Sequence, residues 1–153
     1  MNKRVGIFPG SFDPITKGHE HIIKKSAQMV DELIIGIGTN STKQYLFSIE
    51  TRKNWIETTF AKFSNISVMT YDGLTVDFAS NVNAKYIFRG LRSGVDFEFE
   101  KPIAETNSIL NPNIETIFLL ADKNFGMISS SIVREIIRNQ GNIEKLVPKC
   151  VKT

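Results

Sequence analysis

The chain has 153 residues, 41% apolar and 23% charged, which is enough to bury a sizeable core and too ordinary in composition for a disordered protein. Its formal charge of +3 comes from 19 Lys and Arg that never stand more than two together, which argues against the concentrated basic face of a nucleic-acid binder and suits a site for small phosphorylated molecules. No apolar run approaches the ~20 residues of a membrane span, Met1-Asn2-Lys3-Arg4 leads into a strand-like stretch rather than a leader core, and one cysteine, Cys150, makes no internal disulfide. The expectation is a cytoplasmic protein of one domain, 1–153, with neither nucleic acid nor membrane as partner.

Strand-like and helix-like patterns alternate along the chain. Arg4 to Phe8 reads as a strand, followed by a turn-rich loop from Pro9 to Gly18. His19 to Val30 reads as a helix with Ile22, Ile23, Ala27 and Val30 near one face. Leu33 to Gly38 is a continuous apolar run, as in a strand covered on both sides. Ser48 is placed to cap a helix reaching about Phe63, and Ile66 to Tyr71 alternates as a strand does. A short helix is expected over Leu74 to Asn81, a strand over Tyr86 to Phe88, a helix over Asp96 to Leu110 and a strand over Thr116 to Ala121. Ser130 to Asn139 reads as a helix burying Ile132, Val133, Ile136 and Ile137, closed by Gly141. A last short helix is expected around Ile143, Leu146 and Val147. Gly36-Ile37-Gly38 lacks the third glycine of a dinucleotide fingerprint and reads as close packing; Trp55 and the 11 phenylalanines read as core. Five strands alternating with five or six helices predict an α/β, Rossmann-like, doubly wound parallel sheet.

Ligands of such sheets bind outside the carboxyl ends of the strands. The loop Phe8-Pro9-Gly10-Ser11-Phe12-Asp13-Pro14-Ile15-Thr16-Lys17-Gly18-His19 lies there. Gly18-His19 opens a helix, whose free N–H groups and dipole favour anions, and His19 stands at its mouth, placed to donate to a phosphate oxygen. A Gly-His pair taken alone is more often a turn with a capping imidazole. Ile128-Ser129-Ser130-Ser131 stands at another expected helix N-terminus, where serines hold phosphate or simply cap.

Thr16-Lys17-Gly18-His19 and Ile128-Ser129-Ser130-Ser131 together resemble the two signatures of the nucleotidyltransferase superfamily. Between them lie Thr39-Asn40-Ser41-Thr42-Lys43, Phe47-Ser48-Ile49-Glu50-Thr51-Arg52, Arg89-Gly90-Leu91-Arg92 after the fourth strand, and Asp96-Phe97-Glu98-Phe99-Glu100, with Asn107 beyond. This set resembles the phosphopantetheine adenylyltransferase family over essentially the whole chain. The resemblance implies AMP transfer from ATP to 4′-phosphopantetheine, giving dephospho-coenzyme A and pyrophosphate in coenzyme A biosynthesis. It implies direct in-line displacement with no covalent intermediate.

The same resemblance implies roles for residues. His19, Lys43 and Arg92 are the catalytic set. Ser11, Phe12, His19, Gly90, Leu91, Arg92 and Glu100 meet ATP, and Phe125, Gly126, Met127, Ile128, Ser129, Ser130 and Ser131 form an adenine and phosphate wall. Lys43 and Arg89 bind the acceptor phosphate, and Ser11, Leu74, Thr75, Ile103 and Asn107 line the acceptor site. It further implies Mg²⁺ bridging ATP oxygens, coenzyme A as a feedback ligand and a homohexamer. No His/Cys cluster for a structural metal is present. Lys101-Pro102 departs from the family pattern and is expected to shift a helix start. Phe125-Gly126-Met127 departs from the usual wording of the adenine wall, and the chain runs only a few residues past Pro148. Three alternatives stay open: another small nucleotidyltransferase, such as one acting on nicotinate mononucleotide; a nucleotide-binding module without turnover; and an RNA-binding remnant of a synthetase.

Overall fold

The computed structural model describes residues 3–153, so Met1 and Asn2 of the leader reading lie outside it. Its elements are β1 (Val5–Gly10), α1 (Lys17–Ala27), β2 (Glu32–Thr39), α2 (Ile49–Thr59), β3 (Ile66–Asp72), α3 (Thr75–Asn81), β4 (Tyr86–Leu91), α4 (Gly94–Leu110), β5 (Glu115–Leu120) and α5 (Ser130–Arg138). The strands form one parallel sheet in the order β3-β2-β1-β4-β5, so the α/β, doubly wound parallel architecture is as expected.

Alternation along the strands divides the core between the two faces. Phe8, Leu33, Ile35 and Ile37 meet α1, α2 and α5 on one face, joined by Ile143, Val147 and Val151. Val5, Ile7, Ile34 and Ile87 meet Val76, Phe78 and Ala79 of α3 on the other. A Cβ on Gly36 would stand 2.6 Å from Phe78, whose ring stacks on Tyr71, so Gly36 is a close-packing glycine as read.

The chain reverses its winding direction between β1 and β4, and strands part at such a point. β1 keeps its ladder with β2 out to Gly10↔Ile37, whereas its ladder with β4 ends at Ile7↔Ile87. The crevice that opens beyond Ile7 places the β1 loop opposite the end of β4.

Several expectations need correction. Arg89, Gly90 and Leu91 lie within β4 rather than after it, because β5 continues the ladder to Leu91↔Leu120. Pro102 does not shift a helix start. α4 begins at Gly94, capped by Ser93, and runs through Pro102. The missing N–H leaves the Glu98 carbonyl without its helical partner, and both residues lie on the exposed side of the helix, where that loss costs least.

α2 ends at Thr59, not near Phe63, because Phe60 leaves helical geometry and meets Phe63 edge-on. The expected helix around Ile143 to Val147 is a turn. An Asn142 side-chain turn starts it, and Pro148 disfavours the helical conformation at the residue before it. Five α-helices are present among the described residues. In α5, Val133 is fully buried and Ile136 and Ile137 half-buried, while Ile132 lies at the edge of the stripe and is exposed. Trp55 is core, but the phenylalanines are not uniformly so: Phe99 is 69% exposed on α4.

Candidate active site

Two helix N-termini converge on the crevice. At α1, Thr16 is the cap. Its Oγ1 accepts the His19 N–H (3.3 Å) while the Thr16 N–H donates to His19 Nδ1 (3.1 Å). His19 therefore does cap, and with only one of its ring nitrogens. The Lys17 N–H is taken by the Leu146 carbonyl, leaving the Gly18 N–H without a protein acceptor among the described residues. At α5, Ser129 is the cap and accepts from Ile132, and the N–H groups of Ser130 and Ser131 have no protein acceptor among the described residues. Ser130 Oγ donates to the Pro14 carbonyl (2.8 Å), and Arg134 bridges the Asp13 carbonyl and Ser131 Oγ, so the two serine-rich and glycine-rich motifs are tied together across the fold.

The His19 ring is half-buried against the Phe12 ring, centroids 5.1 Å apart. Burial, with the positive charges of Arg89 and Arg92 adding to it, pushes its pKa from 6.5 down to about 4. The imidazole is neutral at pH 7. Since Nδ1 accepts from Thr16, its proton sits on Nε2. Phe12 holds φ at 49°, and a Cβ on Gly10 would stand 2.9 Å from its ring, so this turn needs glycine there.

Arg89 projects from β4 into the crevice. Its Nη1 donates to the Pro9 carbonyl (2.6 Å), and Nε and Nη2 make a bidentate pair with Glu100 of α4 (3.0 and 2.6 Å). Arg92 makes a second bidentate pair, with Asp96, and its guanidinium holds that carboxyl below the usual carboxylate range.

The Arg89–Glu100 pair stands where two cavities meet. A first cavity of about 330 Å³ is lined by Ser11, Phe12, Gly18, His19, Gly90, Arg92, Phe125, Ile128 and the serines 129 to 131. A second of about 380 Å³ is lined by Lys43, Thr75, Ile103 and Asn107, with Tyr45 and Tyr71. Pro9, Gly10, Ser11, Arg89 and Glu100 line both.

Four residues named from the sequence do not line either cavity: Leu91 is buried in the sheet, Leu74 and Met127 are 55% and 81% exposed, and Gly126 sits in the turn behind Phe125. Sequence reasoning missed the Arg89–Glu100 partnership, although their spacing of 11 residues across a strand end and a helix start was the available signal. It also missed Arg134, Asp13 and Arg52, each of which has a partner 33 to 121 positions away.

Residues 7–136 match the cytidylyltransferase-like family. The phosphopantetheine adenylyltransferase of Flavobacterium johnsoniae is 54% identical over 97% of this chain and 97% of its own. That of Flavobacterium psychrophilum is 53% identical over 97% and 98%, and that of Lachnoclostridium phytofermentans 45% over 97% and 91%. The chain belongs to the phosphopantetheine adenylyltransferase family. A bifunctional NMN adenylyltransferase/ADP ribose pyrophosphatase from Francisella tularensis shares the fold at TM-score 0.74 and 20% identity, over 99% of this chain and 46% of its own.

No helix among the described residues is long and apolar enough to cross a membrane. No group of three or more His, Cys, Asp or Glu that would hold a metal occurs among them either.

Proposed function

We propose that this chain, read as one nucleotidyltransferase domain over 1–153, reversibly transfers AMP from ATP to 4′-phosphopantetheine, giving dephospho-coenzyme A and pyrophosphate in coenzyme A biosynthesis. The observation that carries this reading is the pair of cavities sharing the Arg89–Glu100 wall, with phosphate-type helix ends on one side and Lys43 on the other. Two substrates held across one wall meet at their phosphates.

The nucleotide takes the first cavity. Its phosphates lie against the Gly18, Ser130 and Ser131 N–H groups, with Ser11 and Arg92 beside them and Phe125 and Ile128 against the adenine. The acceptor takes the second cavity. Lys43 and Arg89 bind its 4′-phosphate, and Thr75, Ile103 and Asn107 line its arm. The phosphate oxygen is already ionised near neutral pH, its second pKa being about 6, so the chain supplies no general base. It attacks the α-phosphorus in line and pyrophosphate leaves opposite. Charge grows on the non-bridging oxygens as the phosphorus becomes five-coordinate. The neutral His19 Nε2–H and the Lys43 ammonium meet that charge more strongly than they meet the ground state.

The carboxylates at the crevice are already engaged: Glu100 by Arg89, Asp96 by Arg92, and Asp13 by backbone N–H groups. That donor set fits Mg²⁺ carried by the nucleotide's phosphate oxygens and water, where it would neutralise charge on the leaving pyrophosphate. Coenzyme A, the product plus one phosphate, is proposed to compete at the same crevice, a homohexamer is the proposed assembly, and the cytoplasm is the proposed location. Transfer of labelled AMP from ATP to 4′-phosphopantetheine tests the reading, with nicotinate mononucleotide as the competing acceptor.

A further inference from the structure

The segment 40–47 carries Lys43 from the end of β2 to the start of α2. The Lys43 side chain is exposed, and no carboxylate among the described residues lies within 4.0 Å of its ammonium. What fixes the lysine must therefore act on the backbone that bears it. One stem is the end of β2, where Thr39 Oγ1 donates to the Tyr71 carbonyl (3.0 Å). The other stem is held by two buried charges. The Asp13 carboxylate accepts the N–H groups of Leu46 and Phe47 (2.8 and 2.9 Å). Arg52 Nε donates to the Phe47 carbonyl (3.1 Å) and its Nη1 to the Ser11 carbonyl (2.7 Å). The guanidinium lies over the Tyr45 ring, 4.0 Å from its centroid.

Arg52 is 3% exposed, and no carboxylate among the described residues lies within 4.0 Å of it. Burying a charge is costly, and an apolar side chain often serves stability as well or better. A guanidinium does one thing an apolar group does not: its rigid fork holds two acceptors from different segments at a fixed separation. Here the two acceptors are Ser11, on the nucleotide-side loop, and Phe47, on the stem of the acceptor-side loop.

We propose that Arg52 is a positioning residue that locks the Lys43 loop to the Ser11 loop, so that the acceptor half and the nucleotide half of the site move as one frame. It touches neither substrate and acts on turnover through the placement of Lys43. The proposal rests on the functional reading above for its kinetic part only.

The test is a cycle of Arg52→Lys and Lys43→Ala, singly and together, with kcat and KM measured for ATP and 4′-phosphopantetheine. Amide exchange across 40–47 is measured on the same samples. A lysine at position 52 keeps the charge and cannot span both carbonyls. The expected result is a kcat lowered roughly tenfold or more in Arg52→Lys, since small misplacements of reacting groups are expensive. ATP affinity stays within about threefold, and exchange across 40–47 quickens. In the Lys43→Ala background the same change lowers kcat by less than about threefold, because coupled residues are not additive. An equal loss in both backgrounds overturns the proposal, as does unchanged exchange across 40–47. Should Arg52→Lys fail to fold, Tyr45→Leu, which strips the ring beneath the guanidinium, is read by exchange across 40–47 alone, because Tyr45 itself lines the acceptor cavity; unchanged exchange overturns the proposal. If the unaltered chain transfers no AMP to 4′-phosphopantetheine, the acceptor assignment falls, and the exchange measurement still decides the role of Arg52.

Discussion

The Thr16 N–H donates to His19 Nδ1 at 3.1 Å, and this one bond decides what the histidine offers the cavity. With Nδ1 engaged as an acceptor and the ring neutral, the remaining proton is on Nε2, so His19 presents an N–H donor, not a base, to the cavity. Replacing it with alanine removes the side-chain half of a capping box, which costs about 1 kcal/mol of stability. Loss of a donor to the transition state lowers kcat by roughly 10²–10³-fold. His19→Ala is expected to show the second effect with the fold retained and ATP affinity little changed. Melting temperature, ATP affinity and kcat on one preparation check it, and a kcat within a few-fold of the unaltered chain removes the catalytic role.

The same histidine sets two pH dependences. In the unfolded chain it takes up a proton near pH 6.5 and in the folded chain only at about 4. Between those values the unfolded state binds more protons, so the His19 contribution to folding is intact above pH 6.5 and is lost as pH falls towards 4. Turnover behaves differently, because His19 remains neutral through that window. The acid limb of kcat/KM for the acceptor is expected near pH 6, where the acceptor phosphate gains its second proton. A limb that vanishes in a His19→Gln variant, or that lies near 4, contradicts this assignment.

Arg89 is held by three bonds from a planar fork, one to Pro9 and two to Glu100, on the wall shared by both cavities. Lysine does not reproduce that fork. Arg89→Lys and Arg89→Ala are both expected to raise KM for 4′-phosphopantetheine at least tenfold and to change ATP affinity much less. Arg89→Ala also leaves the Glu100 carboxylate, 9% exposed, without its partner, so it melts earlier than Arg89→Lys. Calorimetry in which ATP binding suffers more than acceptor binding takes Arg89 out of the acceptor site.

The expected architecture followed from residues whose message is local. The apolar run of β2, the Ser48 and Ser129 caps and the glycines of the first loop all depend on neighbours within a few positions. The misread features depend on partners far along the chain. β4 extends through Arg89 because β5 pairs with it, and the end of the chain stays a turn partly because the Leu146 carbonyl docks on the α1 N-terminus. Pro102 was read as a helix boundary because its cost depends on whether the freed carbonyl meets water, which only the fold decides. The site motifs were legible as short runs. The Asp13 and Arg52 clamp was not, since nothing in a one-dimensional pattern pairs position 13 with 46 or 52 with 11.

α4 exposes the large apolar residues Val95, Phe99 and Ile109 at 79%, 69% and 82%, which an assembly of chains would cover. Light scattering at micromolar concentration is expected to give about six times the 17.3 kDa chain mass. A charged pair, Phe99→Glu with Ile109→Lys, is expected to lower that mass. A 17.3 kDa species for the unaltered chain rejects the assembly.

The identity of the acceptor is decided most directly by one assay. α-Labelled ATP is incubated with Mg²⁺, the purified chain, and either 4′-phosphopantetheine or nicotinate mononucleotide, and both labelled product and pyrophosphate are quantified. The expected result is label in dephospho-coenzyme A with one pyrophosphate released per transfer, and no product from nicotinate mononucleotide above the enzyme-free background. Label transferred to nicotinate mononucleotide instead, or pyrophosphate released without a labelled pantetheine product, contradicts the claim.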